Sequence, residues 1–318
     1  MMNRRQAIRI FSAGALTTLL PGVCAAAKAK RVLFVHGRGQ EGRNPEELKA
    51  AWIDTLRRGA AAAQRALPAD VEFAFPFYGD LLAQFVRAND IPLTSEIAIR
   101  GAAPDNEFLA FQAEVAEELR QRAGVTDEQV DEEYGDNPRP RGALNWAWVQ
   151  AILRALDKHG GGMGAEAIES FTRDVFLYCT RSGVRDEINR IVGQQLTEAP
   201  TVVVAHSLGT VVAYNVLRTD LRKLQVPVFV TVGSPLGVRA VRNNFRPLRS
   251  PHPPVDDWYN AFDKRDVVAL YPLDSDNFPV QPAITNNNTV RNHTDNRHGI
   301  DGYLDDPSIA KIILDALE

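Results

Sequence analysis

The chain has 318 residues, 45% of them hydrophobic and 24% charged, enough to bury a large core as one α/β domain with an insertion or as two domains. Its formal net charge is −4, which excludes the basic footprint of a nucleic-acid binder. No Cys/His run has metal-ligand spacing, no G-x-x-x-x-G-K-S/T loop occurs and no internal repeat is found, so neither a metal nor an organic cofactor is expected.

Residues 1–27 read as an export signal rather than as part of the fold. Arg4, Arg5 and Arg9 make a positive start, residues 10–20 are apolar but short for a bilayer span, and Ala25, Ala26 and Ala27 offer small-residue cleavage sites. The paired arginines resemble a twin-arginine signal without its full consensus, and a general secretory signal fits as well. The protein is therefore expected to be periplasmic or secreted. Val23 before Cys24 fits a lipoprotein signal poorly; an uncleaved anchor is the alternative. Cleavage removes three arginines and no acid, moving the charge from −4 to −7 and leaving Cys179 without a disulfide partner.

Residues 31–35 form the first predicted strand, running into His36-Gly37-Arg38-Gly39. Gly37-x-Gly39-x-x-Gly42 also matches the dinucleotide fingerprint. That motif needs its helix to begin among the glycines, whereas Asn44-Pro45 signals a fresh helix start beyond them. The patterning then predicts a helix over 46–67 and a strand over 71–77. His36 and Tyr78 are candidates for the mouth of a site or for loop packing.

From 81 to about 171 apolar and charged residues mix at helical spacing, except that 126–141 is acidic, proline-bearing and loop-like, with Trp146 and Trp148 opening another helix. Phe108, Phe111, Val115 and Leu119 make one stripe, and the glycine run at 160–164 reads as a joint. Helices are expected over 171–179 and 184–196.

Residues 201–204 are a β-branched run that reads as a buried strand, followed by Ala205-His206-Ser207-Leu208-Gly209 and an apolar helix over 211–217. A sharp strand-to-helix bend would lift the Ser207 hydroxyl clear of a sheet. It demands small residues two before and two after, where the backbones nearly touch. This stretch resembles the G-x-S-x-G nucleophile elbow of the α/β-hydrolase superfamily, with Ala205 in place of the first glycine. The resemblance implies a mostly parallel, doubly wound α/β sheet, with the 81–171 insertion as a helical lid before the nucleophile strand. It also implies an oxyanion hole made by the backbone N–H groups of Arg38, after the first strand, and of Leu208.

A further strand is expected over 226–232, ending in Gly233-Ser234-Pro235-Leu236, a stretch similar to one in lipase-like members. Ser234 is a decoy nucleophile, because Pro235 prevents the same helix start. After a strand over 258–262, the resemblance points to Asp266 as the acid, with Asp263 in reserve; both acids otherwise neutralise Lys264 and Arg265 at the surface. A last strand is expected over 289–292, with the asparagines at 286–288 as a turn. Both His293 and His298 satisfy the order Ser, acid, His, and the loop before the Pro307 helix favours His298.

The implied activity is hydrolysis of a carboxylic ester, with a lipid ester included, by Ser207, His298 and Asp266 through an acyl-enzyme, with no cofactor. Expected partners are a small-molecule or lipid ester substrate and transient membrane-surface contact through the lid, without nucleic acid. An acyltransferase using the same residues and a non-catalytic binding protein remain as alternatives.

Overall fold

The computed structural model describes residues 28–101, 103–136, 140–160 and 164–318. The expected export segment at 1–27 and the middle of the glycine joint, 161–163, lie outside the described residues.

Six strands form one sheet: β1 (Arg31–Val35), β2 (Glu72–Ala74), β3 (Thr201–His206), β4 (Val226–Val232), β5 (Val255–Ala261) and β6 (Thr285–Asn287). Their order is β2-β1-β3-β4-β5-β6, and every neighbouring pair is parallel. The chain steps outward from β1 to β2, then returns to the other side of β1 and continues through β3 to β6. Beyond the carboxyl ends of β1 and β3 the direction reverses, and this crevice is where open α/β sheets place their ligands. The register sets Val35 opposite Ala205, so the turns at Gly37 and Ser207 leave the sheet side by side.

Alternation along the central strands builds two faces. Val32, Phe34, Val202, Val204 and Val230 pack against α1 (Pro45–Ala62) and the last helices, α11 (Asp301–Leu304) and α12 (Pro307–Leu317). Leu33, Val35, Val203, Ala205 and Phe229 pack on the opposite side. There α8 (Ser182–Gln194), α9 (Leu208–Thr219) and the short α10 (Arg239–Arg242) lie within one apolar cluster. Because both faces are covered, the strands read as continuous apolar runs.

Between β2 and β3 in the chain come α2 (Gly79–Asn89), α3 (Thr94–Arg100), α4 (Asn106–Ala123), α5 (Asp127–Tyr134), α6 (Trp146–His159), α7 (Ala165–Thr180) and then α8. The predicted stripe of Phe108, Phe111, Val115 and Leu119 is buried on α4, in the same cluster as Leu33 and Val35. The inserted helices therefore share one core with the sheet. The expected boundary at 171 falls inside α7, which runs unbroken from its cap at Gly164; no glycine or proline interrupts it.

Other element boundaries also differ from the sequence reading: β5 begins at Val255, ahead of the expected 258. The first helix stops at Ala62 rather than 67, because Gln64 takes a left-handed conformation, φ 58°. The strand expected over 71–77 is paired only over Glu72–Ala74, and Pro76 lacks the N–H that would extend it. The last strand is Thr285–Asn287, not 289–292. Asparagines expected to turn are held extended because the Asn286 carboxamide accepts from Leu273 N at 2.8 Å and from Asn260 Nδ2 at 2.9 Å. Among the described residues no helix is long and apolar enough to cross a membrane.

Candidate active site

Ser207 is the hinge between β3 and α9. Its backbone sits at φ 56° and ψ −131°, a conformation that non-glycine residues hold only under constraint. The helix starts at the next residue and crosses β1 so closely that a Cβ at Gly209 would stand 2.3 Å from the Val35 carbonyl oxygen. Gly37 meets the serine from the β1 side: a Cβ there would lie 2.8 Å from Ser207 Cβ. Two glycines thus admit the bend, one under the helix and one beside the hydroxyl.

His298 lies on the loop between β6 and α11, and Asp266 on the turn after β5. The structure brings both to Ser207. His298 Nε2 is 2.8 Å from Ser207 Oγ, and Nδ1 is 2.8 Å from Asp266 Oδ2. Asp266 also accepts from the Tyr303 hydroxyl at 2.6 Å and from Val268 N at 2.8 Å. Burial by itself would raise the Asp266 carboxyl, but the His298 ring and these hydrogen bonds outweigh it and hold the group below the usual carboxylate range. Burial beside Asp266 pushes the Tyr303 phenol well up, so it stays protonated and donates. Gly233, at φ 59°, leaves room for the pair: a Cβ there would be 3.1 Å from His298 Cε1 and 3.2 Å from Asp266 Oδ2.

His206 supports the loop from below. Its Nε2 lies 2.7 Å from the His298 carbonyl oxygen, so Nε2 carries the proton and donates. Burial, followed by the neighbouring His298, lowers its pKa to about 3. His36 is fully buried, and that burial lowers it to about 4. It donates from Nδ1 to the Gly37 carbonyl at 2.7 Å and accepts from Tyr78 N at 3.1 Å. Its ring stacks on Tyr78 at 4.0 Å between centroids. His36 and Tyr78 therefore pack the loop after β1 and do not line the mouth.

Arg38 Nε donates to Asp174 Oδ2 at 2.6 Å, tying the same loop to α7. Burial raises the Asp174 carboxyl in spite of that partner. Leu208 is the first residue of α9, where a backbone N–H has no intrahelical carbonyl to bond. A cleft of about 400 Å³ opens over Ser207 and His298, walled by Arg38, Trp52, Phe171 and Ile300.

The reserve residues have other partners. Asp263 accepts from Asn292 N and from Arg265 N, both at 2.8 Å, anchoring the strand-end loop that leads to His298. His293 Nε2 lies 2.8 Å from Asp305 Oδ2 in an exposed pair. Ser234 Oγ is 2.8 Å from Thr210 Oγ1 and accepts from Leu236 N at 3.3 Å, capping a short 3₁₀ turn. Gly39 and Gly42 lie in a loop ahead of Pro45, so the dinucleotide fingerprint does not open a helix. Sequence reasoning missed Tyr303, Gly233 and the support from His206. Only the last had a sequence cue, its place next to Ser207.

Among the described residues no group of three or more His, Cys, Asp or Glu is placed to hold a metal. The fold and site together define an α/β protein with a single all-parallel sheet and a Ser–His–Asp hydrogen-bonded line at its switch point. Comparison with protein-family models, with curated proteins and with solved structures found no match.

Proposed function

We propose that this protein is a serine hydrolase of α/β-hydrolase type that cleaves a carboxylic ester. The observation that carries the reading is the unbroken line from Ser207 Oγ through the His298 ring to Asp266, with the serine on a strained bend. Ser207 Oγ attacks the acyl carbonyl as His298 Nε2 takes its proton. The imidazolium then protonates the departing alkoxide, releasing the alcohol and leaving an acyl-serine. Water, deprotonated by the same nitrogen, attacks the acyl carbonyl; the carboxylic acid leaves and Ser207 regains its proton. Asp266 fixes the tautomer, since its carboxylate can only accept from Nδ1, and it stabilises the imidazolium.

The N–H groups of Arg38 and Leu208 are the donors for the oxyanion. Each such donor is worth about 3–4 kcal/mol in comparable sites. Support comes from Gly37, whose backbone packs on the serine, and from the free first N–H of α9. The inserted helices act as the lid, with Ala167 and Phe171 of α7 on the cleft wall. Residues 1–27 act as an export signal, which sets the reaction in the periplasm or outside the cell. Release of p-nitrophenol from esters of graded acyl length, by the wild type and not by Ser207→Ala, tests the reading.

A further inference from the structure

We propose that a second cavity, behind Asp266 and away from Ser207, binds a single-chain anionic amphiphile, a carboxylate with a short apolar tail. The proposal is independent of the ester reading. This cavity measures about 190 Å³ and lies between the α4 end, α6, α7 and the turn after β5. Its interior wall is apolar: Leu119, Leu156, Ile168, Val267 and Leu270. Its rim carries Arg122, Lys264 and Arg265, all exposed.

The charge around this rim is one-sided. Among the described residues Arg122 and Lys264 have no ion-pair partner. Arg265 Nε is 3.6 Å from Asp263, an acid already accepting two backbone N–H groups. The acid in the cavity wall, Asp266, is buried and turned to His298, and Glu118, one turn before Arg122 on α4, is engaged by Arg239. Three cations over an apolar well favour a ligand with a negative head and a hydrophobic tail. The well exceeds the cavity of about 150 Å³ that holds a benzene ring, which sets a tail of roughly eight carbons.

The cavity is separate from the Ser207 cleft. Between them lies an apolar slot, lined by Phe171, Phe111, Val175 and Val268, with only about 10 Å³ of free space. A chain seated in the outer cavity therefore stops short of the serine.

Octanoate titrated into the full protein, followed by calorimetry, tests the assignment. Binding is expected at roughly millimolar or tighter, weakening with added salt. The double variant Arg122→Ala, Lys264→Ala should weaken it about tenfold or more. Ala123→Phe, on an exposed rim position, should abolish it, while Ala51→Phe, which crowds the Ser207 cleft instead, should leave it unchanged. Absence of octanoate binding to the wild type would overturn the proposal. So would equal binding of octanol or octyltrimethylammonium, or loss of binding in Ala51→Phe with retention in Ala123→Phe.

Discussion

His206 holds His298 by its backbone: the imidazole N–H of the one reaches the carbonyl oxygen of the other at 2.7 Å, with ring centroids 4.8 Å apart. The ring that bonds Ser207 is thus positioned by the residue immediately before Ser207. Because His206 is held neutral at ordinary pH, this tie does not depend on a charge. Removing it leaves a carbonyl unpaired and the His298 loop free to shift. Displacements of about 1 Å at a reacting group cost around a hundredfold. His206→Ala should therefore lower kcat by about tenfold to a hundredfold with KM little changed, and His206→Gln, which keeps a donor, should recover part of the loss. Steady-state kinetics on a p-nitrophenyl ester check this, and an unchanged kcat in His206→Ala would contradict it.

The two acids after β5 should separate cleanly. Asp266→Asn offers Nδ1 a group that can also donate, so the wrong tautomer is admitted, and activity per folded molecule should fall about a thousandfold to ten-thousandfold. Asp263→Asn loses acceptor strength toward Asn292 N and Arg265 N. It should destabilise by about 1–3 kcal/mol and lower activity far less. Denaturant midpoints alongside rates distinguish the two, and the reverse pattern would reassign the acid.

Gly209 has no room for any side chain, because the obstruction is backbone: the carbonyl oxygens of Val35 and His36 lie 2.3 and 2.4 Å from a Cβ built there. Neither can turn away without breaking β1. Gly209→Ala should cost about 3 kcal/mol or more. Gly42→Ala meets nothing within 4 Å and carries only the strain of its φ of 69°, so it should cost about 1 kcal/mol. Urea unfolding of the two variants gives the comparison; equal losses would show that the close approach at 209 is not there.

Stability should fall in mild acid. His36 and His206 have folded pKa values of about 4 and about 3, below the ordinary 6.5, so the unfolded chain binds their protons first. Their contribution is complete above pH 6.5 and is lost as pH drops toward those folded values, by about 1.4 kcal/mol per histidine per pH unit. Urea midpoints at pH 7.5 and pH 5 should differ accordingly, and His36→Gln should flatten the dependence. A midpoint independent of pH over that interval would contradict the buried neutral state.

The sheet was legible because strands covered on both faces have to be apolar throughout, as at 31–35, 201–204 and 226–232. The bend at Ser207 was legible because it restricts its neighbours to small residues. The β6 position was not, since Asn286 and Asn287 are held extended by side-chain bonds to residues distant in sequence. Tyr303 was hidden for a similar reason. Its hydroxyl reaches Asp266 across 37 positions, and nothing local marks a tyrosine for that partner. Helical spacing was visible over much of 79–180, but α5 was not, because its acidic sequence carries a single buried apolar residue, Val130; nor was the boundary at 171, because α7 continues through it.

The central claim is that Ser207, and no other hydroxyl, is the activated nucleophile. A fluorophosphonate probe reacted with the folded protein, with the adduct mapped by peptide mass spectrometry, tests it most directly. The account predicts one adduct, on Ser207, lost in Ser207→Ala and strongly slowed in His298→Ala. Labelling at Ser234 instead, or a folded protein whose Ser207 never reacts, would contradict it.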